Sequence, residues 1–179
     1  MISAVRHVAL VGLMGSGKST VGRRLARSLG REFVDTDTRV EVMSARSIRD
    51  IFTEDGEEGF RDRESQVLVE ALDAVTSSVI ATGGGVVLRD ANRRSLVNHS
   101  VIWLRARPET LVDRVASSTR GGAEHRPLIG TDPLANLSLM ANERRTMYEE
   151  VSDVIIDVDA LAIDQIVRSC VEAVKELER

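Results

Sequence analysis

The stretch that decides the fold is residues 12–19, which read Gly-Leu-Met-Gly-Ser-Gly-Lys-Ser and match the pattern G-x-x-x-x-G-K-[ST] in full. The run before it, residues 7–11, is apolar and β-branched, as in a buried parallel strand. The run after it, residues 19–29, carries three apolar side chains on one helical face. Strand, glycine loop and helix in this order predict a nucleotide phosphate site.

Such a loop binds phosphate through its backbone as well as its side chains. Glycines let consecutive N–H groups point inward, and the following helix adds the positive end of its dipole. Lys18 can reach the β- and γ-phosphates, and the Ser19 hydroxyl can ligate Mg²⁺. The flanking strand and helix argue against a chance match. We therefore predict a phosphate site formed by Gly15, Ser16, Gly17, Lys18, Ser19 and Thr20.

The composition is that of an ordinary globular domain. The chain has 179 residues, of which 42% are hydrophobic and 29% are charged, and its formal net charge is −4. An acidic chain argues against nucleic-acid binding, because domains with that function are usually basic. The single cysteine, Cys170, excludes an internal disulfide and fits a reducing cytoplasm. It lies on an apolar helical stripe, so we predict a buried structural thiol.

The chain offers no signal for a membrane or for export. No run of about 18 apolar residues occurs, so we expect no membrane span. Arg6 interrupts the apolar N-terminal stretch, which continues straight into the glycine loop, so we expect no signal peptide. A cytoplasmic monomer is the expectation that follows.

Strand-like apolar runs alternate with helical patterns along the chain. The runs are residues 8–11, 33–35, 79–82, 101–104 and 154–156. This alternation predicts an α/β fold, a three-layer sandwich in which helices cover both faces of a five-stranded parallel sheet. No repeat or linker divides the chain, so we predict one domain over residues 1–179, with a core of residues 5–35, 73–116 and 133–179.

Two segments do not follow this alternation of strands and helices. Residues 36–72 are charged and mostly helical, with a helix start at Ser47 and a stop at Asp55-Gly56. Residues 117–132 are glycine-rich, lack periodicity and carry two arginines, which favours a flexible closing lid over an ordinary surface loop.

The phosphate loop alone does not distinguish GTPases, motor ATPases and small-molecule kinases. The Asn-Lys-x-Asp and Asp-x-x-Gly strings of switch GTPases are absent from the sequence. A motor ATPase usually needs a larger domain. A small-molecule kinase needs an acceptor pocket beside the γ-phosphate and a lid that excludes water. The two segments described above can supply both.

Several residues are candidates for that acceptor pocket. Asp35 and Asp37 follow the second strand, at the edge of the sheet where ligands bind in open α/β folds, and two carboxylates suit Mg²⁺ and a substrate hydroxyl. Gly83-Gly84-Gly85 follows the third strand and permits close approach of a ligand to the backbone. Arg61 lies in a charged helix. Taken singly, these features could be an acidic turn, a flexible turn and a solvated surface arginine.

The order of these motifs resembles the shikimate kinase family. The resemblance rests on residues 12–20, Asp35-Thr36-Asp37, residues 51–61 with Glu64, Gly83-Gly84-Gly85, Arg126-Pro127-Leu128, and Asn142-Glu143-Arg144 before Tyr148. Together the motifs span residues 5–157, nearly the whole chain. Each motif is weak alone, but the complete set in this order is specific.

The resemblance implies a nucleoside-monophosphate-kinase-like fold with sheet order 2-3-1-4-5 and a helical substrate-binding insertion over residues 36–72. It implies ATP-dependent phosphorylation of the 3-hydroxyl of shikimate, a step of chorismate and aromatic amino-acid synthesis, with Mg²⁺ as cofactor. Shikimate would be held by Asp37, Arg61, Gly83, Gly84, Gly85 and Arg144.

The resemblance also implies the roles of individual residues. Asp37 would orient or deprotonate the attacking hydroxyl, and Ser19 would bind Mg²⁺ with Asp35 in its outer shell. Lys18 would neutralise charge on the transferred phosphate, and Arg120 and Arg126 would bring the lid onto ATP. Independent chemistry agrees, because a carboxylate such as that of shikimate prefers the fixed fork of arginine to the point charge of lysine.

Two other functions compete with this one. One is another small-molecule kinase of the same fold, such as a gluconate-type sugar-acid kinase, which would also need arginines for a carboxylate. The other is a non-catalytic nucleotide-binding module. The presence of Asp37, Arg61 and Arg144 favours shikimate over a sugar acid. The presence of Lys18 and the other charged candidates argues against a module that has lost catalysis.

Overall fold

The computed structural model describes residues 5–117 and 131–179, and its strands form one parallel sheet. The strands are β1 (Val8–Val11), β2 (Glu32–Asp35), β3 (Ser78–Ala81), β4 (Ser100–Arg105) and β5 (Val154–Asp157). Their order across the sheet is β2-β3-β1-β4-β5, with every neighbouring pair parallel. The predicted sheet and its order are confirmed.

Helices cover both faces of this sheet, as the three-layer prediction requires. In the part of the chain that the structure describes they are α1 (Lys18–Leu29), α2 (Thr36–Ser44), α3 (Ile48–Leu72), α4 (Asp90–Leu96), α5 (Pro108–Ala116), α6 (Pro133–Val151) and α7 (Ile163–Leu177). One core layer packs α1 and α7 against the sheet. The other packs α3, α4 and α6 against the opposite face. Between residues 5–117 and 131–179, none of these helices has the length and apolarity of a membrane span.

The centre of the sheet is the strand before the phosphate loop. All four residues of β1 are fully buried between the two layers, which explains why this strand is a continuous apolar run. Trp103 on β4 is buried. Cys170 on α7 is also buried and free, and burial raises the pKa of its thiol to about 12. The predicted structural thiol is therefore confirmed.

The insertion is built from α2 and α3. Helix α3 begins as predicted, because the Ser47 side chain accepts a hydrogen bond from the Asp50 N–H. The predicted stop at Asp55-Gly56 is a kink and not an end. The backbone of Gly56 leaves helical geometry, with φ 74° and ψ −177°, but the helix resumes and continues to Leu72.

The predicted lid falls mainly on residues outside the described ranges. Only its two ends are described. Ser117 forms the C-cap of α5, and Asp132 forms the N-cap of α6, where its side chain accepts from the Ala135 N–H. Arg120 and Arg126 lie outside the described residues.

Candidate active site

A cleft of about 740 Å³ opens at the carboxyl ends of β1, β2 and β3. This is the edge at which ligands bind in open α/β sheets. Every predicted site residue within the described ranges lines it: Gly15, Ser16, Gly17, Lys18, Ser19, Thr20, Asp35, Asp37, Arg61, Gly83, Gly84, Gly85 and Arg144. The fold therefore brings together residues that are up to 129 positions apart between Gly15 and Arg144.

One buried lysine bridges the phosphate loop. Lys18 is buried, and its Nζ donates to the carbonyl oxygens of Gly12 at 2.7 Å and Leu13 at 2.9 Å, so the ammonium group bridges the loop. Gly17 caps α1 with φ 96°, a conformation that residues with a side chain rarely adopt. The first N–H groups of α1 therefore point into the cleft, where the helix dipole favours an anion.

The acidic pair lies where β2 passes into α2. Asp35 is the N-cap of α2, and its Oδ1 accepts from the Thr38 N–H at 3.2 Å. Asp37 follows in the first turn of the helix. Between them, the Thr36 hydroxyl accepts a hydrogen bond from the Gly83 N–H at 3.0 Å. This contact fixes the acidic segment against the glycine turn.

Arg61 and Glu64 form a buried ion pair on α3. Arg61 is 4% exposed and Glu64 is 1% exposed, and Nη1 of the arginine lies 2.7 Å from Oε2 of the carboxylate. Burial raises the pKa of Glu64, and the neighbouring Arg61 and Arg144 oppose that shift. The alternative of a solvated surface arginine is therefore wrong. Phe60 is buried and packs on Phe52 with ring centroids 4.7 Å apart.

Helix α6 reaches the glycine turn through two side chains. The carbonyl oxygen of Gly84 accepts from Arg144 Nη1 at 2.9 Å and from the Tyr148 hydroxyl at 2.6 Å. Arg144 is 6% exposed and lines the cleft, whereas Tyr148 lies behind the turn. Tyr148 and Glu64 belong to the sequence motifs, but the motifs alone assign a role to neither residue.

The glycine turn is the point at which these groups meet. A methyl group on Gly83 would lie 2.7 Å from Asp37 Oδ1, and one on Gly84 would lie 3.3 Å from the Met14 nitrogen of the phosphate loop. One on Gly85 would overlap the guanidinium of Arg61. The absence of side chains thus lets the protein's own acidic, basic and phosphate-binding groups converge.

Two cleft arginines keep unused hydrogen-bonding capacity. The Nε atoms of Arg61 and Arg144 are buried without a hydrogen-bond partner, and so is Glu64 Oε1. Buried polar atoms of this kind usually find a partner, because leaving one unpaired costs about 1–3 kcal/mol. The cleft is therefore suited to a polar, anionic ligand beside the phosphate loop.

The structure combines a phosphate loop at the carboxyl edge of a 2-3-1-4-5 sheet with a cleft that arginines of the helical insertion and of α6 line. This combination defines a small-molecule kinase of the nucleoside-monophosphate-kinase-like class. The family model described as Shikimate kinase matches residues 14–175. The chain belongs to the shikimate kinase family.

Individual relatives agree with that assignment. A shikimate kinase from Symbiobacterium thermophilum is 48% identical over 172 residues, which cover 95% of this chain and 97% of the relative. A shikimate kinase from Bordetella avium is 37% identical over 174 residues, covering 96% and 80% of the two chains. The solved structure of shikimate kinase from Acinetobacter baumannii in complex with shikimate superposes with a TM-score of 0.89 at 33% identity, covering 96% and 94%.

The sugar-acid kinases share the fold at a greater distance. A gluconokinase from Sinorhizobium meliloti superposes with a TM-score of 0.60 at 18% identity, covering 97% of this chain and 94% of the other. Likeness at this level concerns the fold alone. It gives no support to gluconate as the acceptor.

Proposed function

We propose that this protein transfers the γ-phosphate of ATP to the 3-hydroxyl of shikimate, forming shikimate 3-phosphate and ADP in chorismate and aromatic amino-acid biosynthesis. The observation that carries the proposal is one cleft that joins a complete phosphate loop to two buried arginines and an aspartate. Membership of the shikimate kinase family supports the choice of substrate.

The two arginines are suited to the carboxylate of shikimate. Arg61 and Arg144 are almost fully buried, so their charges act where water screens them weakly. Both residues line the cleft, and a planar guanidinium can present two nitrogens to a carboxylate as a fork. The backbone of Gly83, Gly84 and Gly85 completes the acceptor side.

Asp37 is the residue that acts on the reacting hydroxyl in this proposal. Its carboxylate lies against the glycine turn on the cleft wall, between the acceptor side and the phosphate loop. The 3-hydroxyl oxygen forms a new bond to the γ-phosphorus while the bond to the β–γ bridging oxygen breaks. Asp37 orients the hydroxyl and accepts its proton, which is the role of a positioned general base.

The phosphate loop and a bound Mg²⁺ ion would hold the phosphates of ATP. Lys18 and the N–H groups of residues 15–20 hold the phosphates. Ser19 and Asp35 both line the cleft with oxygen atoms, which are the ligands that Mg²⁺ prefers, so Ser19 would bind the ion directly and Asp35 through water. Bound Mg²⁺ neutralises phosphate charge during transfer. Arg120 and Arg126 complete the phosphate side from the lid in this proposal.

The proposed unit of function is a monomer in the cytoplasm, organised as the core, insertion and lid defined above. The single thiol is buried and free, which suits a reducing compartment.

The test is ADP release by the purified protein with Mg²⁺ and ATP, in the presence of shikimate, gluconate or a nucleoside monophosphate. The proposal predicts ADP release that depends on shikimate. Turnover with gluconate or the nucleotide instead would assign a sibling kinase. ATP binding without turnover on any acceptor would assign a non-catalytic module.

Lysine substitutions supply the matched control for this assay. Lys18→Met should lower turnover by at least about a hundredfold, because it removes a charge that stabilises the transition state. Lys175→Met removes an exposed lysine of α7 and should leave turnover unchanged. Equal activity of the two variants would contradict the role of Lys18.

A further inference from the structure

Tyr148 is a buried side chain that belongs to the site without lining its cleft. It is 1% exposed, and its ring stacks on Trp103 with centroids 5.2 Å apart and an interplanar angle of 25°. Tyr148 and Trp103 border a second cavity of about 500 Å³, which Leu13 and Ser16 also line. Any effect of Tyr148 on a ligand in the cleft must therefore pass through another group.

The group that Tyr148 reaches is the Gly84 carbonyl. The tyrosine hydroxyl donates to it at 2.6 Å, and Arg144 Nη1 donates to the same oxygen at 2.9 Å. A carbonyl oxygen has two lone pairs, so these two donors complete its capacity. Burial raises the pKa of Tyr148, so its hydroxyl remains a proton donor throughout the physiological range.

This shared acceptor determines how Arg144 is used. Because the tyrosine occupies one lone pair, the glycine turn needs only one N–H from Arg144. Arg144 lines the cleft, and its Nε makes no hydrogen bond to the protein, so the guanidinium is not fully committed to the turn. Without the hydroxyl, a buried lone pair would be left unpaired, and the donor that already contacts this oxygen is Arg144. A second hydrogen bond to this oxygen would draw the guanidinium toward the turn.

We infer that Tyr148 is a positioning residue for shikimate, because it saturates the Gly84 carbonyl and thereby keeps the Arg144 fork directed at the substrate carboxylate. The inference rests on the proposed function of the cleft. Its consequence is specific to the acceptor, because Tyr148 and Arg144 meet at Gly84, whereas Lys18 donates to Gly12 and Leu13.

The test is Tyr148→Phe, which removes the hydroxyl and keeps the ring that stacks on Trp103. The KM for shikimate should rise about fivefold to tenfold, as expected for the loss of one buried hydrogen bond. The KM for ATP should change by less than about twofold, because the substitution leaves the binding of ATP unchanged. Shikimate binding measured by calorimetry should weaken in parallel with the rise in KM.

A matched control separates positioning from general loss of structure. Ser152→Ala also deletes one hydroxyl from the end of α6, since Ser152 Oγ donates to the Tyr148 carbonyl at 2.7 Å and not to the glycine turn. This variant should keep the wild-type KM for shikimate. Equal KM changes in the two variants, or equal rises in the KM for both substrates of Tyr148→Phe, would overturn the inference.

A second comparison tests the route through Arg144. In an Arg144→Lys background the shikimate affinity is already lowered, and Tyr148→Phe should weaken it little further, because the two changes remove one interaction. Full additivity would overturn the inference. The proposed function is tested separately, because it fails only if the wild-type protein does not phosphorylate shikimate. The positioning role fails if wild type is active and Tyr148→Phe has an unchanged KM.

Discussion

At the residue scale, Asp37, the proposed general base, has a fixed place on the first turn of α2. Asp37→Asn keeps the shape of the side chain and removes its capacity to accept a proton. We expect kcat to fall by at least about a hundredfold, the lower end for positioned acid–base groups, as measured by steady-state ADP release. Asp164→Asn, which changes an exposed carboxylate on α7, is the control. A nearly normal kcat for Asp37→Asn would show that the residue takes no part in proton transfer.

The prediction for Arg61 concerns the affinity for shikimate and not the rate of turnover. Its Nη1 pairs with Glu64 at 2.7 Å and its Nη2 with Glu57 at 3.2 Å, and the residue lines the cleft. Lysine has one nitrogen and cannot serve the internal carboxylates and the substrate together. We expect Arg61→Lys to raise the KM for shikimate about tenfold or more, the cost of one charged hydrogen bond, and to change the KM for ATP much less.

The control for Arg61 lies on the surface of the same region. Arg89 pairs with Glu58 and Asp62 of α3, and its side chain is partly exposed. Arg89→Lys should leave both KM values unchanged, because exposed ion pairs contribute little. If Arg61→Lys raised the KM for ATP as much as that for shikimate, Arg61 would not be part of the acceptor site.

The sequence predicts which residues meet at the site better than it predicts how they are held. The phosphate loop, the acidic pair and the glycine turn are recognisable because each directly follows a strand. Burial is harder to read, because an arginine in a charged helix looks the same whether it faces water or the cleft. The spacing of Arg61 and Glu64 at i and i+3 was the available signal for their ion pair. Tyr148 offered no local signal, since its partner is 64 residues away.

At the scale of elements, the kink at Gly56 determines how the insertion presents Arg61. The backbone there lies in a region that is essentially restricted to glycine, whereas a methyl group at Gly56 would meet nothing within 4 Å. Gly56→Ala therefore isolates backbone strain from steric collision. We expect it to lower the free energy of unfolding by about 1–3 kcal/mol, measured by urea denaturation, and to raise the KM for shikimate.

Gly30 is the matched control for this substitution. It caps α1 with φ 65° and ψ 33°, and a methyl group there would also meet nothing within 4 Å. Gly30→Ala should cost about 1–2 kcal/mol of stability, the ordinary cost of left-handed geometry, and leave the KM for shikimate unchanged. An unchanged shikimate KM in Gly56→Ala would contradict the link between the kink and the acceptor site.

The elements themselves are largely predictable, because strands buried on both faces are apolar runs and helix starts have side-chain caps. Ser47 with Asp50 is such a start and was recognised. Asp35 also caps a helix, although its place after a strand in the sequence indicates only a metal-site residue. The turn at Gly56 was recognised as a break, yet local sequence could not show that packing would continue the helix beyond it.

At the scale of the whole molecule, a histidine pair joins three strands at the edge opposite the cleft. His7 and His99 are buried, with ring centroids 5.2 Å apart. The Nδ1 of His7 accepts from the Ser78 N–H at 3.2 Å, and the Nδ1 of His99 accepts from the His7 N–H at 3.2 Å. The sequence indicated no partner for either residue. Burial lowers the pKa of both rings, and the positive charges of Arg31 beside His7 and of Arg6 beside His99 act in the same direction.

This pair predicts a loss of stability in mild acid. The folded pKa values lie below the unfolded value of about 6.5, so the unfolded chain binds more protons once the pH falls below that value. The free energy of unfolding should therefore decrease as pH falls from about 7.5 to 5.5, by up to about 1.4 kcal/mol per pH unit for each histidine. Urea unfolding at these two pH values measures the change.

The comparison protein is His7→Asn/His99→Asn, in which the amide oxygen can accept the same backbone hydrogen bonds but does not titrate. Its stability should depend less on pH over this interval than that of the wild type. The raised pKa of Glu64 acts in the opposite sense, since it favours the folded state as pH falls, but it is common to both proteins and cancels in the difference. Equal pH dependence in the two proteins would contradict the role of the pair.

The central claim is that this cleft phosphorylates shikimate at one hydroxyl, and the product tests it most directly. Shikimate, ATP and Mg²⁺ are incubated with the protein, and the phosphorylated carbon is assigned by proton–phosphorus correlation NMR, with Lys18→Met as the blank. The account predicts a single product that carries phosphate on the 3-oxygen and is absent from the blank. A product phosphorylated on another hydroxyl, or no phosphorylated shikimate while ATP is bound, would contradict it.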